Sequence, residues 1–349
     1  MDDSRAVSGS GYFFLSGRNI FFGPPVAIMT NYLAAYGTIS QAAGEAIEQV
    51  LILKAKVKGK CFGPSRELQE EVKGIYNRGV EERLHLMVRL IVELGSNRPR
   101  RFGVALSQLS LNLGEVADQM IELLYLPGYR NLQKVLLAQL DHLQRTLVYF
   151  RKTVTGKEEP TTFNINYLLR DIALAICPFR AEFLPSSDER IIGVAIKEKL
   201  DESVPHMVGE PEAMYLALYQ IVGNALIAAG SKGTVSLYSK YYDRFKQLQV
   251  TVADNGAGID RLGVLKSALE AEQLDPREAE ALRRDTADHN NKIFGLIFKP
   301  RVSAFGSQNS KRKGIGLVLA HEEVLRHRGK IEVYSKPGRG TTLQIFLNV

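Results

Sequence analysis

The spacing of apolar residues divides the chain into a helical first part and a mixed second part. Ile39, Ala42, Ala43, Ile47, Val50, Leu51 and Leu53 recur at helical spacing and predict a helix over 38–57. A second predicted helix covers 66–94, with Leu84, Met87, Leu90, Ile91 and Leu94 on one face, and "GSNRPRR" (95–101) breaks it. Leu106, Leu109, Leu113, Val116, Met120 and Leu123 then step by 3, 4, 3, 4, 3, which is a heptad seam. Pro127 and Gly128 stop that helix. Leu132, Leu136, Leu140, Leu143, Leu147 and Phe150 step by 4, 4, 3, 4, 3 and define the next. Two such helices joined by a short loop form an antiparallel hairpin that cannot cover its own seam. Pairing with a second copy into a four-helix bundle is the predicted solution. Packing of the seam on the rest of the same chain is the other solution the pattern leaves open.

"TGKEEP" (155–160) reads as a linker, and mixed helix and strand patterns follow it. "FNINYLLRDIALAI" reads as a helix opened by an asparagine, and "GEPEAMYLALYQIVGNALIAAG" as a long helix stopped by Gly230. "GTVSLYSKYY" and "LQVTVAD" are successive strands around "DRFK", and the C-terminal "GKIEVYSKPGRGTTLQIFLNV" is two strands across a Pro-Gly turn. The expected fold class is α+β in three units. Residues 1–95 form a mostly helical sensor or regulatory region, 96–156 a dimerising hairpin, and 157–349 an α/β domain.

Composition narrows the chemistry only a little. The 349 residues are 45% hydrophobic and 24% charged, ordinary for a globular protein, with a net charge of +7. That charge permits an anionic ligand without demanding nucleic acid, and none is expected as a partner. Cys61 and Cys177 are the only cysteines, too few for a disulfide framework or a metal-ligand spacing, which fits a reducing cytoplasm. The apolar stretch "YFFLSGRNIFFGPPVAIMTNYLAAYG" is interrupted by Arg18, Asn19, Pro24 and Pro25, so no membrane span is expected there. It also lacks the basic start and clean apolar run of a signal peptide.

The chemistry-bearing motifs lie in the second part. In "VTVADNGAGID" (250–260) a strand runs into Asp254 and then into two residues without side chains, Gly256 and Gly258. Asn224 sits in the helical "QIVGNALIAAG", and "KRKGIGLVLAHEEVLRHRGKIEVYSKPGRGTTL" places Gly314 and Gly316 before a helix and ends on "GRGTT". These motifs, in this order, resemble the ATP-binding domain of sensor histidine kinases, within the Bergerat-type ATPase group that also includes type II topoisomerases and mismatch-repair ATPases. The resemblance covers about 160–349 and extends weakly over the hairpin. It implies an α/β sandwich that binds ATP and Mg²⁺, with Asp254 accepting from the adenine amine, which guanine lacks at that position. It further implies that Gly256 and Gly258 close a loop over the purine, that Thr342 supports the adenine through a water, and that Asn224 is the Mg²⁺ ligand. Gly314 and Gly316 would cradle phosphate at a helix N-terminus, with charge from Lys311, Arg312 and Lys313 beside it. "IFGLIFKPRVSAF" (293–305) resembles the phenylalanine-bearing start of the family's mobile lid.

The chain also departs from the family pattern. Gln220 stands four residues before Asn224, where hydrolysing relatives carry a water-activating Glu, and an amide cannot act as a general base. Ile227 and Ala228 occupy positions where many kinases carry Lys or His, and Arg312 replaces the usual first glycine of the third box. The slot for the phosphoaccepting histidine falls in "VALSQLSLNLGE", which offers Ser107 and Gln108 instead. His142 and His85 are the remaining weak candidates. His206, His289, His321 and His327 lie in the ATP-binding region, and the last occupies a structural position of the "HRGK" turn. The resemblance implies a cytoplasmic, homodimeric histidine kinase of a two-component system with a response regulator as partner. A kinase-like ATP-binding dimer that does not autophosphorylate is the second reading. A serine kinase of the anti-sigma-factor type, which lacks such a hairpin, is the third.

Overall fold

The computed structural model describes residues 14–15, 18–19, 26–59, 65–87, 132–155, 160–176, 194–230, 232–284, 292–302 and 316–349. The first helix of the predicted hairpin, with Ser107 and Gln108, lies outside these residues. The described part of the N-terminal region is helical apart from a two-residue ladder between Phe14–Leu15 and Arg18–Asn19. Helix α1 (Val26–Gly59) begins earlier than its apolar periodicity announces. Helix α2 (Ser65–Tyr76) continues through a π-turn at Asn77–Glu81 into helical residues 82–87. The two run antiparallel, with Lys56 against Glu71 at one end and Arg83 against Glu45 at the other.

Helix α3 (Leu132–Thr155) lies antiparallel along another side of α1. Gln133 Nε2 donates to the Val57 carbonyl (2.6 Å), and Lys54 reaches Gln144 (2.6 Å) and Asp141. The seam residues Leu136, Leu140, Leu143, Leu147 and Phe150 are fully buried in the single chain, as are Ile39, Ala43, Ala46, Val50 and Leu53 of α1. Each large apolar side chain so buried contributes about 1.5–3 kcal/mol. The seam of this helix was expected against a second copy; α1 of the same chain takes that place. The physical reason is that α1 presents a long stripe with small Ala43 and Ala46 in it, which lets the two helices approach.

The C-terminal domain places helices on one face of a five-stranded sheet. Strand β1 (Thr161–Phe163) pairs antiparallel with β3 (Met207–Gly209) as a separate ladder. Between them come helix α4 (Ile165–Ala175), capped by the Asn164 side chain on the Asn166 N–H, and strand β2 (Ala195–Lys199). Helix α5 (Pro211–Ala229) starts with proline in its first turn and ends at Gly230, whose φ of 63° few other residues adopt readily. Strands β4 (Thr234–Tyr242) and β5 (Gln247–Asp254) form the predicted hairpin around Asp243–Phe245. Short helices α6 (Arg261–Glu270), α7 (Pro276–Arg283) and α8 (Lys292–Gly295) precede α9 (Gly316–Arg326). Strands β6 (Lys330–Lys336) and β7 (Gly340–Asn348) close the chain. The sheet order is β2-β4-β5-β7-β6, with β2 parallel to β4 and the other neighbours antiparallel.

Alternation decides which side chains meet the helices. Leu248, Val250 and Val252 of β5 face inward, paired with Leu347, Ile345 and Leu343 of β7. Helix α5 packs on this face and α9 packs beside it. Among the described residues α5 alone has the length and hydropathy of a membrane span, and its burial here makes it the core helix.

Candidate functional site

The period of two that buries Val250 and Val252 also turns Asp254 inward, at the last position of β5. A carboxylate on the apolar face needs partners, and the chain supplies backbone donors. Oδ1 of Asp254 accepts from the Gly256 N–H (2.8 Å) and the Thr341 N–H (3.3 Å). Both donors use one oxygen, which leaves Oδ2 for a ligand. Burial pushes the carboxyl above the ordinary aspartate range, against the pull of these two hydrogen bonds.

The glycines are explained by what surrounds them. A methyl group on Gly256 would lie 1.9 Å from the Ala228 carbonyl of α5, and one on Gly340 would lie 2.0 Å from the Asp254 carbonyl. Gly258 (φ 76°) and Gly340 (φ 88°) also hold backbone angles that L-residues resist. The loop after β5 is therefore pressed against the end of α5 on one side and the β6–β7 turn on the other, where the Gly338 N–H donates to the Ala257 carbonyl (2.7 Å).

Helix α5 supplies the adjoining wall. Gln220, Asn224 and Ala228 succeed one another at one-turn spacing and lie on one stripe. Ala228 meets the glycine loop, and Gln220 meets the start of α9, where a methyl on Gly316 would lie 2.3 Å from Gln220 Oε1. Asn224 stands between them. Its Nδ2 donates to the Gln220 carbonyl (2.8 Å), so Oδ1 is the atom presented outward. An amide oxygen of this kind suits a hard cation such as Mg²⁺. The arrangement thus fits a purine at Asp254, a metal at Asn224 and phosphate at the N-terminus of α9. Phe298, after α8, stacks on His321 of α9 (4.8 Å) and ties the start of the lid-like segment to that helix. Lys311, Arg312, Lys313 and Gly314 lie outside the described residues.

One sequence assignment is corrected. Thr342 pairs with Ala253, so it faces the side of the sheet away from the helices. Thr341 pairs with Asp254 and shares its inward face. Its hydroxyl contacts Ser335 Oγ (3.0 Å), which accepts from the Ile259 N–H (2.8 Å). The threonine beside the carboxylate is therefore Thr341, and strand alternation from Asp254 could have found it. Two histidine candidates are also placed. His85 is exposed on the helical stretch after the π-turn. His142 is 1% exposed, with Nδ1 3.0 Å from the Tyr215 hydroxyl and its ring stacked on Tyr219 (4.0 Å). It is sealed from solvent, so it is not open to phosphorylation in this arrangement. His327 is paired with Glu323 (3.2 Å) against Gly209, in keeping with a structural role.

The geometry agrees with comparisons to known proteins. Residues 209–349 match the family described as histidine kinase-, DNA gyrase B- and HSP90-like ATPases. The chemotaxis protein CheA of Bacillus subtilis is 25% identical over 165 residues, which cover 44% of this chain and 23% of that protein. The sensor histidine kinase ZraS of Escherichia coli is 24% identical over 168 residues, 48% of this chain and 28% of that protein. The chain thus spans about a quarter of the length of the curated relatives it matches. Among solved structures, the mycobacterial sensor histidine kinase MprB aligns over 54% of this chain and 96% of its own, at 15% identity and a TM-score of 0.37. The C-terminal part of this chain, residues 209–349, is a histidine-kinase-type ATP-binding domain of that ATPase family.

Proposed function

We propose that the chain is a cytoplasmic histidine kinase that binds Mg²⁺ and ATP and passes the γ-phosphate into a two-component system, with a response regulator as its partner. The observation that carries this reading is the convergence of Asp254, the glycine loop, Asn224 and the start of α9 on one face of α5. Asp254 and Thr341 would hold the adenine, Asn224 the metal, and Gly316 with Lys313 and Gly314 the phosphates. Gln220 in place of a carboxylate favours a kinase over a hydrolase, because its amide cannot activate water.

A second reading has its own support. The acceptor slot holds Ser107 and Gln108, and His142 is sealed against α5. These favour a kinase-like regulatory protein that binds ATP and signals without phosphorylating itself. A homodimer remains part of both readings, through a contact other than the α3 seam. Leu51 and Ile52, exposed on α1, support such a contact. Incubation with γ-labelled ATP separates the two. The kinase reading expects protein-bound label that is acid-labile and base-stable. Bound ATP with no labelled protein rejects it in favour of the regulatory reading. Rapid ATP hydrolysis without labelled protein rejects both.

A further inference from the structure

Helix α3 has a second buried face, where polar residues stand among the apolar Val135 and Ala138. Gln139, His142 and Thr146 are all buried, at helical spacing on a side distinct from the leucine seam. Gln139 donates to the Ala175 carbonyl at the end of α4. Arg145 pairs with Asp171 of α4 and lies over the Tyr215 ring, 4.9 Å from its centre. Lys152 bridges Glu212 (2.9 Å) and Glu210 (3.3 Å) at the start of α5. His142 sits inside this frame, against Tyr215 and Tyr219. Burial, and secondarily the Arg145 charge, lower its pKa to about 3, so the ring is neutral at physiological pH. A neutral histidine that is buried and hydrogen-bonded suits holding a geometry better than receiving phosphate.

The contacts grip only the first half of α5. Asn224 lies nine residues beyond Tyr215, two and a half turns, and so on the opposite side of the helix. A helix packed on both sides moves as a rod. A shift at Tyr215 is then carried to the stripe that faces the nucleotide. We propose that His142 is a positioning residue: through Tyr215 and Tyr219 it fixes α5 from behind, so that the helical region sets how Asn224 presents its amide oxygen to Mg²⁺-bound ATP. This rests on the ATP-site reading above, and it assigns His142 a role other than phosphoacceptor.

Tyr215→Phe removes the hydroxyl and keeps the ring, and His142→Ala removes the other partner. In the full chain, calorimetry with ATP is run with Mg²⁺ and with chelator. Each single variant is expected to lose about fivefold or more of the affinity that Mg²⁺ adds. The double variant should lose no more than the worse single, since both break one contact. Affinity for metal-free ATP should stay unchanged, because Asp254 is untouched. His142→Gln, which can still hydrogen-bond to Tyr215, should recover part of the loss. If a variant fails to fold, Asp171→Asn loosens the Arg145 pair at a half-exposed site and should show the same metal-specific loss. Variants that melt lower but bind Mg²⁺-bound ATP as the parent does would overturn the proposal and leave the contact purely structural. Label recovered on His142 would overturn it as well. A parent protein that binds no nucleotide would instead bring down the ATP-site reading, and the positioning role with it.

Discussion

The two sides of α5 are built by opposite means. On the nucleotide side the side chains are few. Asn224 and Asp254 project between backbone surfaces, Gly256, Gly258 and Gly340 bring main chain to main chain, and Gly316 lets the Gln220 side chain approach. On the α3 side there is little backbone contact and the side chains are large: His142, Tyr215, Tyr219, Arg145 and Lys152. The first side leaves polar atoms facing outward, the condition for holding a ligand. The second pairs its polar groups mostly with one another, apart from Gln139 Oε1 and Glu210 Oε1, and so suits holding a helix. In the proposed reading the same core helix would serve as a ligand wall and as a docking rail.

The largest expected effect falls on the ligand side. Asp254→Asn keeps the oxygen that accepts from Gly256 and Thr341 but puts a neutral amide in place of the carboxylate. ATP binding should fall below detection in a calorimetric titration. Thermal stability should hold or rise, because the variant no longer buries a carboxylate whose ionisation the site disfavours. Loss of binding together with unfolding would show that Asp254 is structural.

Gln220→Glu tests the reaction type. A carboxylate at this position, beside the start of α9, should raise ATP hydrolysis by about 10²–10⁴-fold, the usual contribution of a general base. Phosphate release measured for parent and variant checks this, and equal rates would remove Gln220 from the account. A smaller effect is expected at Gly340→Ala, where the added methyl meets the Asp254 carbonyl at a φ of 88°. Backbone strain of this kind costs about 1–3 kcal/mol, to be read from urea unfolding.

The pH dependence separates the two sides in another way, because their effects run in opposite directions. The Asp254 carboxyl is raised in the folded state, so its contribution is most favourable below the ordinary aspartate pKa of 3.8. That contribution declines as pH rises through the raised value. Nucleotide affinity should climb over the same window as the carboxylate forms. His142 is lowered from 6.5 to about 3, so its contribution is fully present above 6.5 and is lost as pH falls toward 3. The acid limb of the stability profile should therefore flatten in His142→Gln. An unchanged limb would mean that the histidine is not buried in solution.

The sequence was informative where backbone sterics leave a residue signature. Asp254, Gly256, Gly258 and Asn224 stand out because only glycine fits between carbonyls and only a polar group serves at a strand end facing the core. Thr341 was missed in favour of its neighbour, although one step of strand alternation from Asp254 separates them. Strand β2 and the β1–β3 ladder left no clear pattern, since β2 is largely exposed and the ladder strands are three residues long. The Leu136–Phe150 seam was visible, but its partner was not. A heptad stripe states that a face is buried and does not state against which helix. The second buried face of α3 was invisible for a related reason: Gln139, His142 and Thr146 look like surface residues until α4 and α5 are laid across them.

In the proposed function, α5 and the carboxylate at the end of β5 form a site that reads adenine. Titration of the full chain with ATP and with GTP, both with Mg²⁺ and under identical conditions, tests it most directly. The two ligands share their phosphates and metal and differ only in the purine, at the C6 amine that Asp254 would contact and at the neighbouring N1 and C2. Saturable binding of ATP is expected, with GTP at least tenfold weaker, about 1.4 kcal/mol, for a carboxylate that meets a keto oxygen in place of an amine. Equal affinity for the two, or no affinity for either, would contradict it.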